Sequence, residues 1–92
     1  MDYGYARVSA KDQSLARQLD ALQELGLNDD VIFADKASGK DFNRPSYQRL
    51  MRKLKPGDVV FVKSIDRLGR NYQEIIEEWR SITQQKGAHI VV

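Results

Sequence analysis

Ser9 is a hydroxyl set among guanidinium groups that come from three separate stretches of the chain. Of the 15 Lys and Arg residues, eight fall at Arg7 and Lys11, at Lys36, Lys40 and Arg44, and at Lys63, Arg67 and Arg70. Asp12, Asp35, Asp41 and Asp66 lie within the same stretches, so the pattern is not a plain positive stripe. A serine hydroxyl attacking a phosphodiester builds negative charge on the phosphoryl oxygens and on the leaving oxygen. Arginine is permanently charged and matches a phosphate in bidentate fashion, so a set of arginines can stabilise that charge. One well-placed arginine in phosphoryl transfer is worth about 10³ to 10⁵ in rate, so several could stand where other enzymes use a metal. The hydroxyl proton must also leave, and Asp66 or a neighbouring group is a candidate for that acid–base work.

Other chemistries are poorly supplied. The chain has no cysteine, which excludes disulfides, thiolate catalysis and cysteine-ligated metal. Its one histidine, His89, cannot build a typical zinc site without further His or Cys ligands. No cofactor is expected. With 92 residues there is room for one compact domain. The 41% hydrophobic and 30% charged content is that of a globular domain in water. No apolar run approaches the roughly 18 to 20 residues that span a bilayer, and Met1 to Val8 lacks a signal-peptide core. The expectation is a cytoplasmic protein with no membrane partner. Net charge is +2, weak evidence of a polyanionic partner when taken alone.

The elements that must position these residues follow from the apolar pattern. Residues 2 to 8 read as a strand. Leu15, Leu19, Leu22 and Leu25 recur at helical spacing, with Gly26 as the stop. Val31-Ile32-Phe33 is a second apolar run, followed by a loop from about Asp35 to Arg44. Pro45 suits a helix's first turn, and Tyr47, Leu50, Met51 and Leu54 give that helix its apolar stripe. Pro56-Gly57-Asp58 is a turn into Val59-Val60-Phe61-Val62, a run that reads as a strand buried on both faces. Asn71 with Glu74 forms a capping-box signal ahead of Ile75, Ile76, Trp79 and Ile82, and Gly87 ends that helix. Ile90-Val91-Val92 starts another strand.

The order β-α-β-α-β-α-β predicts an α/β fold, a three-layer open and mainly parallel sheet with helices on both faces and strand order 2-1-3-4. Ligands of such sheets bind beyond the carboxyl ends of the strands. Arg7 and Ser9 follow the first strand, Asp35, Lys36, Ser38 and Arg44 the second, and Lys63, Asp66, Arg67 and Arg70 the third. His89 starts the fourth strand, on the opposite edge, which argues against a Ser-His-Asp triad. A sheet ending on Val91-Val92 wants further covering elements, so the expectation is a truncated domain.

Gly4-Tyr5-Ala6-Arg7-Val8-Ser9, Asp35-Lys36-Ala37-Ser38-Gly39, Arg44-Pro45 and Asp66-Arg67-Leu68-Gly69-Arg70 together resemble the resolvase/invertase family of serine site-specific DNA recombinases. The resemblance runs through nearly the whole chain, in order and with appropriate spacing. It implies that Ser9 is the nucleophile, cleaving DNA to a 5′-phosphoseryl link and a 3′-hydroxyl. It implies that Arg7, Arg44, Arg67 and Arg70 bind or activate the phosphate, and that Asp66 orients arginines or assists proton transfer. Gln13, Gln18, Asp35 and Ser38 would support the site, with Lys63 a weaker addition. The partners implied are a double-stranded recombination site and further copies of the protein, as a homodimer and then a synaptic homotetramer that exchanges strands. Family members continue into a long dimerisation helix and a helix-turn-helix domain. Residues 1–92 therefore read as an incomplete catalytic domain, inactive alone.

Plainer readings stand beside these. Ser9 could be a helix-entry serine, with Ser14 the better cap. Arg7 could be an ion-pair partner of Asp35 or Asp66. Arg67 and Arg70 could be a solvated loop, although cations at a helix N-terminus oppose its dipole. Arg49, Arg52, Lys53 and Lys55 read as a solvated helix face, Tyr47 and Trp79 as core, and Tyr3 and Tyr5 as strand packing. Two other functions fit the same residues: a Mg²⁺-dependent nuclease or phosphotransferase using Asp35 and Asp66, and a module whose arginines bind an anion without chemistry.

Overall fold

The structure, a computed structural model, describes residues 1–8, 15–36, 44–69 and 71–92. Strand β1 is Asp2–Val8 and helix α1 is Leu15–Glu24. A single 3₁₀ turn at Asp29–Val31 leads into β2, Ile32–Lys36, and α2 is Pro45–Lys53. Strand β3 is Val59–Val62, a 3₁₀ turn covers Ile65–Arg67, and α3 is Tyr72–Arg80. A π-helical turn, Ser81–Gln85, then returns the chain to β4, His89–Val91. The four strands are all parallel, in the order β2-β1-β3-β4. This is the α/β architecture and strand order that the alternating pattern predicts.

Burial divides the molecule into two layers of packing around the sheet. On one face Tyr5, Phe33, Val60 and Val62 meet Tyr47, Leu50 and Leu54 of α2 and its end, with Leu68, Ile82 and Ala88. On the other, Ala6 packs with Leu22 and Leu27, flanked by half-buried Leu15, Leu19, Ile32 and Phe61. Gly4 has a specific reason to be glycine, because a Cβ there would lie 3.0 Å from Leu27 and 3.1 Å from Leu22. That close approach lets α1 settle on β1 and fixes where the strand delivers its last residues.

Several local expectations hold and others need correction. Pro45 opens α2, and the Asn71 side chain accepts from Glu74 N at 2.9 Å, capping α3. Strand β3 is not buried on both faces: Val60 and Val62 are buried, whereas Val59 and Phe61 are half-buried. The reason is that α1 lies over β1 and β2, so its layer reaches β3 only at Phe61. Leu25 is 59% exposed rather than part of the α1 stripe, because the helix ends at Glu24 and Leu25 falls in the turn. Asp35 and Lys36 are the last residues of β2, not the start of a loop. Helix α3 does not run straight to Gly87; the last turn widens, and it is there that Ile82 becomes fully buried. His89 is exposed at the start of β4, paired with Val59, on the edge opposite the carboxyl ends of the strands.

Candidate active site

Parallel register brings Arg7 of β1 beside Asp35 of β2, on the face that carries α2. Pairing between β1 and β3 stops at Tyr5 and Val62, two residues before Arg7. The Gln18 side-chain amide takes over there. Arg7 N donates to Gln18 Oε1 at 3.3 Å, and Gln18 Nε2 donates to Arg7 O at 3.2 Å. Gln18 is 1% exposed, so this buried amide serves as a substitute strand that fixes the backbone just ahead of Ser9.

Three guanidinium groups converge on this edge. Arg7 Nη2 donates to the backbone carbonyl of Asp66 at 3.0 Å, and Arg44 Nη1 donates to the carbonyl of Arg67 at 3.2 Å. Both anchors lie in the turn after β3. Arg67 itself has a side chain 19% exposed, with Nε 3.9 Å from Asp66 Oδ1. It is not the solvated loop residue that its sequence position suggests. Burial lowers the Arg7 pKa below the ordinary arginine value; Arg67 and Arg44 push the same way, while Tyr5 and Asp66 oppose them. Like charges gathered in this way can receive an anion, which relieves their mutual repulsion.

Asp35 is 5% exposed, and its carboxylate holds α2. Its Oδ1 accepts from Ser46 N at 3.0 Å, and its Oδ2 accepts from Tyr47 N and from the Tyr5 hydroxyl, both at 2.9 Å. A strand carboxylate thus caps the first turn of α2, where the orphan amides and the helix dipole both favour negative charge. Burial raises the Tyr5 pKa, the Asp35 charge adds to the rise, and Arg44 works against it. The phenol therefore remains a proton donor to Asp35.

Asp66 has a side chain 64% exposed, and its carboxylate accepts from the Ser64 hydroxyl and faces Arg67. Its carbonyl accepts from Arg7, so Asp66 meets one arginine through its backbone and another through its side chain. Lys63, just after β3, is exposed. Ser9, Gln13, Ser38 and Arg70 lie outside the described residues. The site also uses residues read from sequence as packing. The Arg44 guanidinium sits 3.9 Å above the Tyr47 ring, and the Tyr47 hydroxyl donates to Glu78 Oε2 at 2.7 Å.

Gly69 holds the arginine-bearing turn against α3. A Cβ at this buried position would lie 2.7 Å from Glu74 Cβ and 2.8 Å from Ile75 N, contacts that backbone atoms cannot relieve by rotating. Gly69→Ala is therefore expected to cost about 1–3 kcal/mol of stability, as overpacking does. Urea unfolding measures this, and an unchanged midpoint would show that the turn can move freely.

Residues 3–92 match the family described as Resolvase, N terminal domain. The Tn3 transposon resolvase of Escherichia coli is 45% identical over 75 residues, 82% of this chain and 40% of its own length. The Tn21 transposon resolvase of Escherichia coli is 44% identical over 87 residues, 95% of this chain and 44% of its own length. A DNA-invertase of Enterobacteria phage P7 is 42% identical over 73 residues, 79% of this chain and 38% of its own length. The chain thus spans less than half the length of these relatives. An open parallel sheet that gathers Arg7, Arg44 and Arg67 at one edge, matched from Tyr3 to Val92, places this chain in the resolvase N-terminal domain family.

Proposed function

We propose that the chain is the catalytic domain of a serine site-specific DNA recombinase, with Ser9 as nucleophile and Arg7, Arg44, Arg67 and Arg70 as the phosphate-binding set. The observation that carries the reading is the convergence of Arg7, Arg44 and Arg67 on the edge where β1 ends, one residue before Ser9. In the proposed step the Ser9 Oγ–phosphorus bond forms and the phosphorus–O3′ bond breaks. The serine proton passes to a base, and the departing 3′-oxygen is protonated by an acid. Because the phosphoseryl bond keeps the energy of the broken link, the reverse attack by a 3′-hydroxyl can reseal the strand without ATP. Asp66 is a candidate for orienting the arginines or moving a proton, and Gln13 and Ser38 for supporting the site. Gln18 and Asp35 contribute by fixing Arg7 and α2.

The partner in this reading is a double-stranded recombination site, bound by a dimer that pairs into a synaptic tetramer. In this reading residues 1–92 form the catalytic domain and do not exchange strands alone. The competing use of Asp35 and Asp66 as a metal-binding pair is disfavoured by the three donors that already occupy the two Asp35 oxygens. Among the described residues no helix is long and apolar enough to cross a membrane.

Adduct trapping tests the proposal. The full-length protein, incubated with its cognate duplex in EDTA and quenched in denaturant, is expected to yield a covalent protein–DNA adduct. Trypsin should leave the DNA 5′-phosphate on the short peptide Val8-Ser9-Ala10-Lys11. An adduct that requires Mg²⁺, or that maps to another residue, overturns the assignment.

A further inference from the structure

We infer that Tyr47 is a positioning residue for the arginine cluster: its ring is the platform that sets Arg44, and Glu78 of α3 anchors that platform. This rests on the anion-binding reading of the cluster. Arg44 is the residue immediately before α2, with no side-chain cap bond to the helix. Its guanidinium instead folds back over the residue three positions on, 3.9 Å above the Tyr47 ring centre, while Nη1 reaches the Arg67 carbonyl. Arg44 is 6% exposed, and a cation that is largely desolvated gains most from an aromatic face.

Tyr47 is held at three points. Its backbone N donates to Asp35, its ring meets the Tyr5 ring edge-on with centres 5.0 Å apart, and its hydroxyl donates to Glu78 Oε2 at 2.7 Å. A leucine would fill the same place in the apolar stripe of α2. It would supply neither the π face under Arg44 nor the hydroxyl that ties α2 to α3. Packing alone accounts for the burial of Tyr47 but not for these two contacts. Burial and the neighbouring Glu78 carboxylate raise the Tyr47 pKa, so the hydroxyl stays protonated and able to donate to Glu78.

A double-mutant cycle read by anion binding tests this. Inorganic sulfate, a tetrahedral dianion, is titrated into the 92-residue chain and followed by arginine side-chain NMR. Tyr47→Leu is expected to weaken sulfate binding about tenfold. Tyr47→Phe, which keeps the ring and loses the anchor, should weaken it by less than about threefold. In an Arg44→Gln background, Tyr47→Leu should change the affinity by less than about twofold. A loss from Tyr47→Leu that is equal in both backgrounds reduces Tyr47 to packing and overturns the inference, while the anion site stands. The Arg44 Hδ and Hε resonances of the unmutated chain, expected upfield from the Tyr47 ring current and still so in Tyr47→Phe, give a reading that needs no destabilising variant. Random-coil positions for them would also overturn it. No sulfate binding at all would remove the anion-site reading, and this inference with it.

Discussion

Ser9→Ala in the full-length protein is expected to abolish DNA cleavage and the covalent adduct, a loss on the order of 10⁶-fold, as when a nucleophile is removed from an interdependent site. The arginines should remain in place, because each has a contact of its own within the described part of the fold. Arg7 is tied to Asp66 O and through its backbone to Gln18, Arg44 to Arg67 O, and Arg67 is placed by the turn after β3. Sulfate or duplex affinity and the urea midpoint should therefore stay within error of the parent chain. This split separates a nucleophile from a helix-entry serine. A cap would show as a stability loss of about 0.5–2 kcal/mol with chemistry largely intact. Retained adduct in Ser9→Ala would transfer the nucleophile to another hydroxyl, with Ser38 the first candidate.

How far the site could be read from the sequence depends on what kind of group does the work. Strand and helix starts at Asp2, Pro45 and Asn71 are written in local chemistry, and parallel topology then gathers Arg7, Arg44 and Arg67 at one edge. The anchors are a different matter. Arg7 and Arg44 are held by carbonyls of Asp66 and Arg67, and a carbonyl is present at every residue, so nothing in residue type marks the two that matter. Asp35 reads as a loop acid from the sequence because Asp-Lys-Ala-Ser-Gly is polar. Its place in β2 is set by pairing with Arg7 across the sheet, a tertiary fact. Tyr47 reads as core, and it is buried, but helical spacing reports only which face is buried and not what its polar atom touches. The widened turn at Ser81–Gln85 and the exposed Leu25 likewise depend on where a helix must end to meet its neighbours.

Asp35→Ala is expected to be the most destabilising single change at the site, by about 4 kcal/mol. Three donors converge on one buried carboxylate: the Tyr5 hydroxyl and the amides of Ser46 and Tyr47. Removing it strands a phenol in the core and two orphan amides at a helix start. Each buried unsatisfied group costs about 1–3 kcal/mol, and local relaxation or water keeps the sum below full additivity. Against a total stability of about 5–15 kcal/mol for a domain, that is a large fraction. Asp35→Asn should cost less, about 2 kcal/mol, because one oxygen still accepts while the amide NH₂ must face a donor and the favourable charge at the α2 N-terminus is lost. Urea unfolding of the two variants gives the comparison. The effect should also reach the arginines: α2 begins one residue after Arg44, so loosening its first turn moves the guanidinium off the Tyr47 ring and off Arg67 O. Sulfate binding is therefore expected to weaken in Asp35→Asn under conditions where the variant is fully folded. Unchanged affinity in the folded variant would mean that the cap serves stability alone, and that Arg44 is set by its own contacts.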